Sequence, residues 1–275
     1  MPVLNSPPID TVGFTINSGG INIYYNTHDP ANTVKYYRWD YQETWLYHPF
    51  YQSLYYWDVD TVLARTSLQQ DQVYDCYPSD SSSNIILNSS AKLSQDVIVN
   101  NPITSVASTS IKIAWEYSIL VRQYALTGPA YDFWQNLKIN TENLGSIFDA
   151  LPSQLPGNIH SVSNPAEPVM GYISVGSVAT KRIFIKNSQL PAWTIPPLFS
   201  CPVKSFSYSV PEFIGDPLVN EVDYNFGYNV DGYYTWIPIQ GTGHPGGPPT
   251  GFTASTPQCT ECTFVGTNVE PAFWQ

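Results

Sequence analysis

The chain has 275 residues, a formal charge of −11 and a sequence pI near 4.5. That balance, with no basic stripe, excludes nucleic-acid binding through displaced counterions and adhesion of the bare protein to an anionic membrane. Charged residues make up only 12% and aromatics 15%, with 20 Tyr and 8 Trp, which excludes a disordered chain.

The 24 Pro and 17 Gly favour short strands over long helices. Residues 2–10 read as a linker entering a strand near Thr11–Ile16. Asn17-Ser18-Gly19-Gly20 is a turn, and Ile21, Ile23 and Tyr25 then share one face of a second strand. The clearest early strand alternates Tyr37, Trp39, Tyr41, Trp45 and Tyr47 with Tyr36, Arg38, Asp40, Gln42 and Thr44. That period of two marks a half-buried strand, like the aromatic centre strand of an immunoglobulin-like or fibronectin-type sandwich. Residues 48–72 are aromatic without a clean period and read as a loop. Tyr51, Tyr55, Tyr56 and Trp57 in this stretch are candidate contact aromatics, with core packing as the alternative.

Tyr74–Tyr77 and Asn84–Leu87 read as short strands, and Ile111–Val121 as a long alternating one. Proline in a first turn, followed by Tyr131, Phe133, Trp134 and Leu137, predicts one helix over Pro129–Asn143, stopped near Gly145 and covering a sheet face or edge. Asn158–Val162, Val169–Val175 and Lys181–Lys186 read as strands, and residues 187–221 as proline-rich and irregular. Tyr224–Tyr228 and Tyr233–Ile239 read as a hairpin around Asn229-Val230-Asp231-Gly232. The expected fold is mainly β: an immunoglobulin/fibronectin-III-like sandwich over 8–125, then a helix and a disulfide-tied, loop-rich region over 126–275, in contact or continuous with the first.

The cysteines are Cys76, Cys201, Cys259 and Cys262, an even set that allows three pairings. Cys259-Thr-Glu-Cys262 is a CxxC, but no strand-then-helix pattern surrounds it and no second CxxC exists to complete a zinc site. Structural disulfides are the expectation; a bridge from Cys201 to the tail would close a loop of roughly 60 residues and contribute about 3–5 kcal/mol. His28, His48, His160 and His244 lack metal-ligand spacing and read as polar loop or strand residues. No nucleophile elbow or phosphate loop appears, and Asp58, Asp60, Asp71 and Asp75 do not form a calcium-loop pattern. The sequence therefore offers no catalytic residue, no metal ligand and no cofactor site. Nor does any apolar run approach the ~20 residues of a membrane helix; Ile119-Leu120-Val121 ends at Arg122. No basic and apolar leader follows Met1.

Several segments together carry a family resemblance. They are Ile23–Pro30 with Tyr36–Trp45, Ser83–Leu87 through Leu93, Tyr117–Tyr124 with Ala130–Trp134, Ser153–Ile159, Pro168–Tyr172, Lys181–Ile185, and Cys259–Cys262 with Gly266-Thr-Asn and Pro271–Trp274. In these the chain resembles the Bacteroidota "domain of unknown function 4249" proteins. The resemblance implies outer-membrane lipoproteins, often near TonB-dependent receptors, in which a lipidated N-terminus and a further β domain precede the part seen here. Pro7-Pro8-Ile9-Asp10 would then fall near the interdomain junction. The family supplies no catalytic residues to carry over. The expected role is a non-catalytic accessory or binding lipoprotein at the outer membrane or cell surface, with a TonB-dependent receptor as partner and a glycan or peptide as ligand. A carboxylate-dependent glycan hydrolase and a purely structural envelope protein are the alternatives.

Overall fold

In the computed structural model, residues 3–142, 157–164, 167, 169, 171–209, 220–227 and 236–274 are described. The strands are, in chain order, β1 Ile9–Asn17, β2 Gly20–His28, β3 Tyr36–Trp45, β4 Tyr55–Asp58, β5 Thr61–Ala64, β6 Ser79–Ser81 and β7 Ile86–Ser89. They continue with β8 Val97–Ala107, β9 Glu116–Leu126, β10 Val178–Lys186, β11 Lys204–Ser207, β12 Ile237–Thr242 and β13 Gly251–Ser255. The α-helices are α1 Ser67–Tyr74, α2 Gly128–Glu142, α3 Glu221–Gly227 and α4 Pro257–Thr260. The fold is mainly β, with several antiparallel sheets, four helices and two disulfides among the described residues.

The chain divides into two compact units, each drawn from three segments. The first comprises Met1–Glu43, Asp80–Ser108 and Ser118–Ile185; the second comprises Thr44–Ser79, Thr109–Tyr117 and Lys186–Gln275. In sequence terms, the second unit is what lies between β3 and β6, between β8 and β9, and after β10.

The first unit is the sandwich. One sheet has the order β1-β2-β8; the other has β10-β9-β3-β6, with β7 also paired to β3. These are the A-B-E and G-F-C-C′ orders of the immunoglobulin and fibronectin architecture. The period-two reading of β2 holds: Ile21, Ile23 and Tyr25 are buried. Tyr25 meets Trp39 of the other sheet with ring centroids 4.3 Å apart, and Trp39 stacks on Tyr37 at 5.4 Å. Burying such rings removes a large apolar area from water, and each polar tip then needs a partner. Trp39 donates through Nε1 to Gln123 Oε1 at 3.0 Å, and Gln123 passes its own Nε2–H to Pro7 O at 2.8 Å. Tyr37 Oη donates to Asp96, which also accepts from Ser90. Gly20 sits at φ +140°, and a Cβ there would lie 2.0 Å from Val106 O, so only glycine closes the β1–β2 turn against β8.

Helix α2 matches the expected helix through Glu142; Asn143 and Gly145 lie outside the described residues. It packs on the non-core face of β3, with Tyr131 against Tyr36 at 5.0 Å and Arg38 held over the rings of Tyr124 and Trp134 at 4.3 and 4.5 Å. Thr127 starts it, its Oγ1 accepting from Ala130 N at 3.3 Å.

The second unit has its own small core. The sheet β11-β13-β12 packs Phe206, Phe252 and Ala254 against Val222 and Phe226 of α3, with Tyr55, Trp57, Val62 and Trp236 around them.

Several sequence expectations change. Residues 48–72 contain the β4–β5 hairpin and most of α1 instead of a loop. The hairpin turns through Val59, at φ 54°, and Asp60, without the glycine that would signal it. Thr66 and Gln69 form a capping box that starts α1. Tyr74–Tyr77 is the end of α1 followed by isolated bridges at Cys76 and Tyr77. Ile111–Val121 is not one strand: Ile111–Ile113 form a 3-10 turn capped by Ser110, and β9 begins only at Glu116. Residues 221–227 form helix α3, because Asn220 Oδ1 accepts from Asp223 N at 2.9 Å and starts a turn; the expected Asn229–Gly232 turn lies outside the described residues. Asn158–Val162 is not a strand, and the described part of Val169–Val175 is also without one. Asn158 instead closes its loop by side-chain bonds to the backbone of Ile173 at 2.7 and 2.8 Å.

Candidate functional site

The second unit holds a cavity of about 370 Å³ walled by His48, Phe50, Tyr74, Trp115, Trp193 and the Pro196-Pro197 turn. Its geometry follows from a few backbone bonds. Tyr47 and Cys76 form an antiparallel bridge, with Tyr47 N donating to Cys76 O at 2.8 Å and Cys76 N returning to Tyr47 O at 3.1 Å. Residues 48 and 75 are therefore opposite neighbours, and His48 Nε2 lies 2.8 Å from Asp75 Oδ1. Leu46 N donates to Glu116 O, and Asn187 N to Trp115 O, each at 2.8 Å, which sets Trp115 beside the same imidazole.

The imidazole is clamped between rings: its centroid lies 4.3 Å from that of Tyr74 and 4.4 Å from that of Trp115. Its side chain is only 13% exposed. The approach to Asp75 is close but off the hydrogen-bond axis, so neither ring nitrogen has an aligned partner among the described residues. Burial pushes the His48 pKa down and disfavours the charged ring, and the Asp75 carboxylate only partly opposes this. Trp115 and Phe50, by contrast, are 48% and 58% exposed.

The disulfides bound this region. Cys76 pairs with Cys262 and Cys201 with Cys259, and no described cysteine is free. The CxxC is thus not a redox pair in itself: its two cysteines belong to different bridges. Cys201 lines the cavity, so its bridge ties the proline-rich wall to α4, whose neighbouring Gln258 also lines it.

The expected contact aromatics stand elsewhere in this unit. Tyr55 and Trp57 pack on the Phe206 cluster, and Tyr55 meets Phe252 edge-on at 5.1 Å. Arg65 lies over Tyr56 at 5.5 Å, and Tyr51 packs edge-on against Phe50 at 4.8 Å. None of the four lines the cavity. Sequence does not single out His48, Phe50, Trp115 and Trp193 as site residues; the pairing of residues 48 and 75 depends on a bridge that no local pattern announces. Asp58, Asp60 and Asp71 do not join Asp75 in a cluster, and the described residues contain no group of three or more His, Cys, Asp or Glu arranged to hold a metal ion.

Among the described residues, the cavity wall includes no Ser or Thr, no Asp or Glu, and no thiol. His48 and Asp75 resemble the base and orienting carboxylate of a nucleophilic site, but no described Ser, Thr or free thiol lines the space beside them. What the arrangement does supply is aromatic surface around a buried imidazole.

A model of the domain of unknown function 4249 matches residues 1–182. The chain belongs to that family. No curated protein and no solved structure matches it. The match spans all of the sandwich strands through the first part of β10, and in the second unit it covers the segments carrying His48, Asp75 and Trp115 but not the Trp193–Cys201 wall. No helix among the described residues is long and apolar enough to cross a membrane.

Proposed function

We propose that this chain is a non-catalytic binding module of an outer-membrane lipoprotein working beside a TonB-dependent receptor. The observation that carries the binding role is the cavity, in which half-exposed Trp115 and Phe50 surround a buried imidazole with no described Ser, Thr or free thiol beside it. Small-molecule sites have this make-up, mostly apolar and aromatic walls with a few fixed polar groups, and volumes from about 300 Å³ upward. The two disulfides support an oxidising compartment, where such bonds persist. The lipoprotein setting and the receptor rest on the family's resemblance.

The hydrolase reading needs paired carboxylates, and the described cavity wall offers none. Affinity recovery of the full-length protein from crosslinked membranes tests the partner. A TonB-dependent receptor should be retained; recovery without one removes that half of the reading. The binding half is tested by tryptophan emission. A ligand in the cavity should shift it, and Trp115→Ala should abolish the shift; a response that survives the substitution places the ligand elsewhere.

A further inference from the structure

The cavity in the second unit also indicates what kind of ligand it takes, an inference that rests on the binding role above. We propose that it receives a small organic cation, an alkylammonium group seated on the aromatic wall near Asp75.

Charge argues first. No described Lys or Arg lines the cavity. Asp75 has one nitrogen partner within ion-pair distance among the described residues, and that is His48. Asp75 does not itself line the cavity, but it lies 2.8 Å from His48, which does, and its side chain is 43% exposed. The chain as a whole carries −11, which favours the approach of cations over anions.

The hydrogen-bonding character of the wall points the same way. Pro49, Pro196 and Pro197 bring carbonyl acceptors but no N–H. Asn187 donates one Nδ2 hydrogen to Ile113 O at 3.0 Å, and its amide oxygen is a further acceptor in the wall. Both ring nitrogens of His48 are buried without an aligned partner among the described residues, so the imidazole presents no exposed donor to a ligand. The wall therefore offers acceptors beside the donors of Tyr47, Tyr74, Trp115, Trp193 and Gln258, and no cationic side chain for a carboxylate or phosphate to pair with.

Aromatic faces complete the site. Tyr74 and Trp115 flank the imidazole, and Phe50 and Trp193 add further ring surface. Cations are drawn to such faces, most strongly to tryptophan, and more so when partly desolvated. A neutral sugar could stack on Trp115, but it carries no net charge for the acidic surroundings to attract. The volume of about 370 Å³ suits a small cation and not a long chain.

A matched pair of probes tests this on the intact chain: choline, and dimethylbutanol, in which carbon replaces the quaternary nitrogen. Calorimetry and tryptophan emission should show saturable choline binding at least about tenfold tighter than the isostere. Asp75→Asn should weaken choline about tenfold, and added salt should weaken it further. Equal affinity for the two probes, or no choline binding, overturns the cation. If a neutral glycoside binds instead and Trp115→Ala abolishes that binding, the cavity stands and only the ligand class falls. Choline binding left unchanged by Trp115→Ala would overturn both the site and the cation assigned to it.

Discussion

In the first unit Trp39, Tyr25 and Tyr37 are wholly buried between two sheets, and Gln123 and Asp96 satisfy the polar tips of Trp39 and Tyr37. The second unit has shorter sheets, a core around Phe206 and Phe252, and both disulfides. A sandwich with aligned faces gains its stability from apolar burial, whereas a unit with short strands and proline-rich turns gains much of its own by restricting the unfolded chain. Aromatic rings left half exposed are better placed where covalent ties help to hold the shape. Half-exposed Trp115 and a clamped imidazole sit in the unit that has them.

Trp39→Ala should disturb that contrast most severely. Removing a fully buried indole costs about 3–5 kcal/mol, measured by urea unfolding, and the loss should be the same with or without reductant. A cost below about 1 kcal/mol would mean that burial is not what holds the sandwich.

Replacing Cys201 and Cys259 together by serine should come next. Their separation of 58 residues gives about 4 kcal/mol by loop closure. The loss should appear in the second unit, read by hydrogen exchange, while amides of β2 and β9 stay protected. Equal loss of protection in both units would show that they unfold as one.

The smallest effect contrasts two histidines. Asp10, 2.7 Å from His28 in the first unit, pushes that imidazole pKa up; burial pushes that of His48 down. The His28 contribution to stability is therefore present at low pH and lost as pH rises through its raised folded value. That of His48 is present above the ordinary imidazole value and lost as pH falls from there to its lowered folded value. Proton NMR titration of the imidazole rings should place the two midpoints on opposite sides of the ordinary value. A shared midpoint would remove the distinction.

Much of the sandwich is legible because β2 alternates, as does β3 from Tyr36 to Trp39 before Glu43, Thr44 and Trp45 are buried in succession, and α2 because Pro129 and a row of aromatics mark it. Strand β8 was missed: Asn100, at φ 51°, and Pro102 interrupt it where the ladder to β2 shifts register. Proline is tolerated there because β8 is an edge strand, which local pattern does not show. The Cys201-to-tail bridge was foreseen as a possibility, but the pairing itself was open. The candidate site was least legible. Trp115 sits in a run whose alternation mimics a strand, and His48 gains its role only from Asp75, 27 residues away in sequence and opposite it in space.

The bridge from Cys76 to Cys262 spans 186 residues and encloses the whole Cys201–Cys259 loop. On a chain threaded out N-terminus first, Cys76 and Cys201 emerge long before either of their partners. An oxidant acting on the emerging polypeptide would join those two, which is the wrong bond. Native pairing then requires thiol–disulfide exchange once Cys259 and Cys262 arrive. Maturation of this protein is thus sensitive to the timing of oxidation, and a disulfide isomerase in its compartment should raise its yield more than additional oxidant.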